Sequence, residues 1–151
     1  KPDDLPFEEA YRKLVEITGV MADVALDYEI SIAVEPLNHG ETNMINSVSE
    51  AAMLAITTGR ENIGALADSY HMFKSKENME NIRTVGKLTH SHIALLEGRT
   101  YPIQEDRALE GFFQALHDID YNGRISIEGS TEDFENDAEA AIKILHTLRD
   151  K

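Results

Sequence analysis

Apolar residues along this chain repeat with two different periods that alternate from one segment to the next. Residues 7–28 place apolar side chains three or four positions apart, which predicts an amphipathic helix. Residues 30–35, ISIAVE, are mainly apolar and β-branched, which predicts a buried strand. The same switch of period recurs through the rest of the chain. Repeated units of this kind predict a parallel sheet with alternating helices.

Three more strands and four more helices complete the predicted order. Strands are predicted at 62–68, 88–95 and 124–130, and helices at 48–58, 76–86, 106–119 and about 132–149. Ser47, three residues before Glu50, is typical of a capping box, and Gly59 is expected to end that helix. The sequence therefore predicts four strands, each followed by a helix, with one extra helix in front.

Each predicted strand delivers a polar residue at its carboxyl end. These residues are Glu35, Asp68, His92 and Glu128. In parallel α/β architectures, the carboxyl ends of the strands form the edge at which sites are built. A single carboxylate at such a position is more often solvated or caps the next helix. Polar residues at the ends of four successive strands favour a binding site. A cation at that site would stabilise the negative charge of Glu35 at the end of an apolar strand.

The side chains at the four strand ends limit which metal could bind. The chain contains no cysteine, which excludes disulfides, a thiolate nucleophile and thiolate metal sites. Three carboxylates and one imidazole favour a hard or borderline ion such as Mn²⁺, Mg²⁺ or Co²⁺. The predicted cofactor is therefore one divalent metal ion.

Length and charge narrow the possible architectures and partners. A chain of 151 residues, 42% of them hydrophobic, predicts a single domain over residues 1–151. It has room for only half of a complete eight-stranded barrel, which needs about 250 residues. A net charge of -14 opposes nucleic-acid binding. Neither a transmembrane segment nor a signal peptide is visible, so we expect a cytoplasmic protein without a membrane partner.

Four motifs, in this order and spacing, resemble the carboxyl-terminal half of the xylose isomerase-like TIM-barrel superfamily. They are VEPLNHGETN, ADSYHM, HSHIALLEGRTYP and SIEGS. Each motif alone is weak, but the ordered set spans nearly the whole chain, and its pattern is most similar to that of the ketose 3-epimerases. The resemblance implies an α/β fold of four βα units with parallel strands, equivalent to the carboxyl-terminal half of a TIM (β/α)8 barrel.

The resemblance also implies a reaction and a set of ligands. Glu35, Asp68, His92 and Glu128 would coordinate one divalent metal, commonly Mn²⁺, with Mg²⁺, Co²⁺ and Zn²⁺ as alternatives. Glu35 and Glu128 would also act as the two acid/base groups. The implied enzyme is a metal-dependent sugar isomerase or epimerase that acts on a ketose or related hydroxy-ketone, phosphorylated or not, through an enediolate.

Three more residues match positions at which the epimerases contact substrate hydroxyls: Glu41, His71 and Arg99. From the sequence alone, a helix cap involving His71 and a solvent-exposed Arg99 are the ordinary alternatives. His39 stands where many relatives have arginine, and the loop from His92 to Arg99 is one residue longer than in tagatose-type epimerases. These differences concern the substrate pocket rather than the metal ligands.

The half-barrel resemblance leads to an expectation about assembly and to two alternative functions. An isolated half would expose the apolar edge strand at 30–35, so we expect at least a homodimer that covers it, or a remnant of a longer protein. One alternative is a truncated half-barrel that binds metal or a polyol without turnover. The other is an endonuclease IV-like phosphodiesterase with several metals, which the acidic charge disfavours.

Overall fold

The chain forms six helices and four strands in the computed structural model, which describes residues 1–151. In chain order these are α1 (Phe7–Leu26), β1 (Ile32–Val34), α2 (Val48–Thr58), β2 (Ile63–Asp68), α3 (Ser69–Ser75), α4 (Glu80–Val85), β3 (His90–Ile93), α5 (Arg107–Asp118), β4 (Ile125–Ile127) and α6 (Phe134–Arg149).

All four strands lie in one parallel sheet, in the order β1-β2-β3-β4. The predicted α/β fold of four parallel βα units is therefore confirmed. In the register of the central strand pair, Asp68 of β2 lies beside His92 of β3. Beyond β4, the backbone N–H of Glu128 donates to the carbonyl of Ile93 at 3.0 Å. Asp68 and His92 are therefore level with each other, whereas the registers of the outer strands offset Glu35 and Glu128 from this pair by two residues each.

Helix α2 has the bounds that the sequence predicted, and its start shows why. The Ser47 hydroxyl accepts a hydrogen bond from the backbone N–H of Glu50 at 3.2 Å. The Glu50 carboxylate accepts in return from the N–H of Asn46 at 2.6 Å, one residue earlier than in a capping box. Gly59 ends the helix in the left-handed conformation, with φ of 67°. Local chemistry therefore sets both ends of this element.

The predicted helix at 76–86 is wrong in its amino-terminal part. A short helix, α3, precedes this segment, and α4 begins only at Glu80. Lys76 ends α3 with a positive φ of 54°, which breaks any continuous helix. The carboxylate of Glu77 instead accepts from the backbone N–H of Val48 at 2.9 Å, which caps the start of α2. The segment between α3 and α4 therefore contacts the start of α2 instead of continuing a helix.

The main hydrophobic core lies on one face of the sheet and contains residues from every helix after α1. Ala65 and Ala67 of β2 and Ile93 of β3 face this core. Because side chains alternate across a strand, Asp68 and His92 project to the opposite face. The helices therefore support the sheet from one side and leave its other face free for polar side chains.

Helix α1 packs through its small residues and exposes several large ones. Ala22 and Ala25 are buried, whereas Ile17, Met21 and Val24 are exposed. Ile17 and Met21 line an open cavity along β1 instead of joining the main core. None of the helices combines the length and apolar character needed to cross a membrane.

Candidate metal centre

Four side chains at the carboxyl edge of the sheet converge on one point. Glu35 follows β1, Asp68 ends β2, His92 lies in β3, and Glu128 follows β4. One potential ligand atom from each lies within 4.8 Å of the others. The strand-end residues that the sequence singled out are therefore brought together, although they come from four separate segments of the chain.

The His92 imidazole lies among the three carboxylates. Its Nδ1 atom is 2.6 Å from Glu128 Oε2, 3.1 Å from Glu35 Oε1 and 3.7 Å from Asp68 Oδ2. A ring nitrogen carries at most one proton and cannot donate to all three carboxylates at once. A divalent cation at this point would interact with all four groups together.

Asp68 provides the strongest sign that this cluster fits a cation. Its Oδ1 atom accepts from the backbone N–H of His71 at 3.1 Å and so caps α3. Its Oδ2 atom is buried and has no hydrogen-bond partner, and the side chain is 1% exposed. Arg99 is the nearest cation, with NH2 at 3.7 Å from Oδ2. Since a buried, unpartnered carboxylate oxygen is costly, the donor set fits a hard or borderline divalent ion.

Glu35 holds its proton unusually tightly in the absence of a cation. Burial raises the pKa of Glu35 from 4.5 to about 7, and the nearby charges of Glu128 and Asp68 act in the same direction. The hydrogen bond with His92 opposes this rise in pKa only in part. Binding of a cation would displace this proton, because a coordinating carboxylate must be ionised.

The raised pKa of Glu35 leads to a prediction for the metal-free chain. A folded-state pKa above the unfolded value means that the folded chain binds more protons between about pH 4.5 and pH 7, so the free energy of unfolding falls as pH rises through that range. Relative to a Glu35→Gln variant, the unmodified chain should lose roughly 1–2 kcal/mol between about pH 5 and pH 8, after allowance for partial exposure. Urea unfolding of both proteins in chelator measures this difference, and parallel pH profiles would contradict it.

Arg99 reaches the cluster from a strained loop. It has a positive φ of 50°, next to Gly98 at 68°. Its NH2 atom lies 3.0 Å from Glu128 Oε1, and its guanidinium lies over the Tyr70 ring at 4.8 Å from the centroid. Such a backbone conformation in a residue other than glycine persists only where surrounding contacts enforce it. The loop therefore places a positive charge beside the acidic cluster.

Gly129 allows the Arg99 loop to pack against the end of β4. A Cβ atom at Gly129 would lie 2.9 Å from the carbonyl oxygen of Arg99 and 3.0 Å from the carbonyl carbon of Thr100. The same carbonyl of Arg99 accepts from the backbone N–H of Ser130 at 2.8 Å. Any side chain at this position would therefore push the loop away from the cluster.

This close approach predicts that Gly129→Ala lowers the free energy of unfolding by about 1–3 kcal/mol, because the backbone must move to relieve the clash. Gly111→Ala is the matched control. Gly111 lies within α5, and a methyl group added there would meet no atom within 4 Å, so alanine should stabilise the helix by about 0.5–1 kcal/mol. Urea unfolding of both variants measures the two shifts, and equal effects of the same sign would contradict the prediction.

The remaining residues expected to contact substrate lie on one side of the cluster. His71 is buried, and its Nε2 atom is 3.4 Å from NH2 of Arg99. Burial lowers the pKa of His71, which keeps the imidazole neutral. Glu41 is exposed, and its Oε1 atom accepts from the side-chain amide of Asn38 at 2.7 Å. His71 thus lies beside Arg99, and Asn38 links it to Glu41.

Asn38 and Tyr70 are residues of this region that sequence reasoning did not identify. Asn38 is 2% exposed and contacts both Glu41 and His71. An asparagine two residues before a glycine is typical of a side-chain-stabilised turn, and that signal could have pointed to Asn38. No comparable local signal marks Tyr70, because its contact with Arg99 depends on tertiary packing.

This chain is similar to a family of known proteins along its whole length. The family model described as xylose isomerase-like TIM barrel matches residues 1–151. Inosose isomerase from Bacillus licheniformis is 27% identical over 133 residues, which cover 80% of this chain and 48% of the relative. D-psicose 3-epimerase from Agrobacterium fabrum is 29% identical over 120 residues, which cover 78% of this chain and 41% of the relative.

A structural comparison gives the same fold. The IOLI protein, solved with a bound zinc atom, superimposes with a TM-score of 0.82 at 22% identity and covers 99% of this chain and 59% of its own. At this level of identity the similarity concerns the fold. The chain spans about half the length of the curated relatives that it matches.

Proposed function

Because the chain belongs to the xylose isomerase-like TIM-barrel family, we propose that it carries the metal and acid/base centre of a sugar isomerase or epimerase. The substrate would be a ketose or a related hydroxy-ketone. The observation that carries this proposal is the cluster of three carboxylates and one imidazole with an unpartnered, buried oxygen on Asp68. Both named relatives, an inosose isomerase and a D-psicose 3-epimerase, support this class of reaction.

In this proposal the four strand-end residues hold one divalent ion, with Mn²⁺ the first choice. They are Glu35, Asp68, His92 and Glu128. A mixed set of oxygen ligands and one imidazole suits Mn²⁺, and Zn²⁺, Co²⁺ and Mg²⁺ are chemically compatible with it. When bound, such an ion would polarise the substrate carbonyl and the neighbouring hydroxyl, which makes the adjacent carbon-bound hydrogen more acidic.

Glu35 and Glu128 are the proposed acid and base. They follow the two outer strands of the sheet and approach Nδ1 of His92 at 3.1 Å and 2.6 Å. In this proposal each carboxylate keeps one oxygen for the metal, and the second oxygens of the two groups face opposite sides of the substrate carbon. Removal of the carbon-bound proton by one group gives an enediolate, and return of a proton from the other side inverts the carbon.

Arg99, His71 and Glu41 are proposed to orient the substrate through its oxygen atoms. Arg99 and His71 would donate hydrogen bonds, and Glu41 would accept one from a hydroxyl. With the proposed divalent ion included, the three carboxylates of the cluster and the guanidinium of Arg99 leave no surplus of positive charge, which favours a neutral polyhydroxy substrate over a phosphorylated one. The net charge of -14 and the one four-ligand cluster also disfavour a phosphodiesterase acting on nucleic acid.

The open side of β1 favours a second candidate, in which the chain alone binds metal with little turnover. A cavity of about 640 Å³ runs along β1 and α1, is lined mainly by apolar residues, and reaches Glu35. Water entering there would weaken the electrostatic interactions of the site.

We propose that a second copy of the chain covers this open side of β1. Sedimentation at several protein concentrations tests this proposal. A dimer would support it, and a monomer at all concentrations would contradict it.

Hydrogen exchange into the substrate tests the proposed chemistry directly. The Mn²⁺-loaded chain is incubated with D-psicose, D-fructose and an inosose in deuterated water, and incorporation of deuterium at carbon is followed by NMR. We expect exchange with at least one substrate and a loss of at least about 100-fold in Glu35→Gln, because Glu35 is both a proposed metal ligand and a proposed proton-transfer group. Glu97→Gln, an exposed neighbour of the Arg99 loop, is the control and should exchange normally. Metal binding without any exchange would favour the non-catalytic candidate.

A further inference from the structure

We propose that Asn38 is a positioning residue that fixes the imidazole of His71 in one tautomer, with its proton on Nε2 and directed toward the substrate. The tautomer rests on hydrogen-bond geometry alone. Its role in selecting a substrate oxygen rests on the proposed function above.

The backbone of Asn38 assigns the tautomer without any choice of side-chain orientation. Its N–H group donates to Nδ1 of His71 at 3.1 Å. A backbone amide can only donate through its hydrogen, so Nδ1 must offer a lone pair and carries no proton. In the neutral ring the proton then lies on Nε2.

The side chain of Asn38 reinforces this assignment. Its Oδ1 atom accepts from the backbone N–H of Gly40 at 3.0 Å, and its Nδ2 atom donates to Glu41 Oε1 at 2.7 Å. These two partners fix the orientation of the amide and leave Nδ2 at 2.9 Å from Nδ1 of His71. The backbone N–H and the side-chain N–H of Asn38 therefore both face Nδ1 of His71. A proton on Nδ1 would point at these two donors and remove the lone pair that accepts from them.

Burial makes the arrangement difficult to replace by water. Asn38 is 2% exposed and His71 is 3% exposed. In such surroundings a donor turned toward another donor is costly, because neither can be solvated. The alternative tautomer, with a proton on Nδ1, would leave the Asn38 backbone N–H without an acceptor.

The fixed tautomer has a consequence for the ligand. In this tautomer His71 Nε2–H and the NH2 group of Arg99 are both donors, so they do not hydrogen-bond to each other across the 3.4 Å between them. Two converging donors are satisfied together by one oxygen atom that has lone pairs, such as a hydroxyl or carbonyl oxygen. The pair therefore selects a substrate with an oxygen at this position and disfavours its deoxy analogue, which would leave both donors unpaired.

The test is the tautomer of His71, read from long-range ¹⁵N–¹H correlation spectra that distinguish protonated from unprotonated ring nitrogens. The six histidines are assigned with the help of a His71→Gln variant. At about pH 8 the unmodified chain should show the proton of His71 on Nε2. This measurement needs no variant of Asn38, and a proton on Nδ1 would overturn the proposal.

An Asn38→Asp variant then tests the cause. The backbone N–H of residue 38 still faces Nδ1 in this variant, while a carboxylate oxygen replaces the Nδ2 donor and favours a proton on Nδ1, so the fraction of His71 with its proton on Nε2 should fall. Asn43→Asp makes the same change at an exposed residue of the same loop and should leave His71 unchanged. An unchanged fraction in a folded Asn38→Asp protein would overturn the part of the proposal that rests on the Asn38 side chain.

A comparison of substrates separates this inference from the proposed function. In the exchange experiment, a ketose should react at least about 10-fold faster than its analogue that lacks the oxygen selected by His71 and Arg99, and Asn38→Asp should reduce that ratio. Equal rates for both sugars would overturn the selective role of His71. If no sugar exchanges at all, the proposed function fails while the tautomer result remains valid.

Discussion

Replacing Asp68 with asparagine should weaken Mn²⁺ binding by roughly 100-fold, which corresponds to about 2.8 kcal/mol, while the fold remains intact. The Oδ2 atom of Asp68 is buried and unpartnered in the cluster, and the substitution replaces its charge with a neutral amide. The Oδ1 atom caps α3 by accepting from His71 N–H, and asparagine caps helices about as well as aspartate. The variant therefore removes the proposed ligand and keeps the structural hydrogen bond.

Asp106→Asn is the matched control for this change. Asp106 caps α5 by accepting from the backbone N–H groups of Ala108 and Leu109, away from the cluster. Competition titration with a Mn²⁺ indicator should give unchanged affinity for this control. Equal losses in both variants, or no loss in Asp68→Asn, would contradict a role for Asp68 as a ligand.

Truncation of Phe112 to alanine should lower the free energy of unfolding by about 3–5 kcal/mol. Phe112 is fully buried in the main core, where its ring meets Phe73 of α3 edge-on at 6.3 Å between centroids. Removal of the ring leaves a cavity between α5 and α3, the helix that Asp68 caps. The loss should appear as a lower urea midpoint with an unchanged dependence on urea concentration.

Ile56→Ala provides the comparison for this truncation. Ile56 lies on α2 and is 73% exposed, so its truncation should change stability by less than about 0.5 kcal/mol. A loss of less than about 1 kcal/mol for Phe112→Ala would show that α5 does not pack on the sheet as described.

Much of the fold and of the candidate site followed from local patterns. The bounds of α2 were predictable because Ser47 and Gly59 act through hydrogen bonds and backbone conformation within a few residues. The convergence of Asp68 and His92 was predictable because parallel strands end at one edge of a sheet. The helix bounds depend on contacts within a few residues, and the convergence of the strand ends depends on a general property of parallel sheets.

The features that sequence reasoning missed depend on longer-range contacts. Helix α3 is only seven residues long and begins where β2 ends, so it shows no clear helical period. Asn38 and His71 are 33 residues apart, and nothing local to either one predicts the hydrogen bonds between them. Met21 of α1 is exposed because it lies along the open side of β1, beside the cavity there. Hydrophobicity alone does not contain that information.

The most direct test of the central claim is a calorimetric titration of the metal-free chain with Mn²⁺, beside a Glu128→Gln variant. If the four strand ends form one site, the unmodified chain binds one ion per chain, and the variant binds it at least about 10-fold more weakly. Absence of binding in a chain that circular dichroism shows to be folded would contradict the account, as would weak binding that Glu128→Gln leaves unchanged.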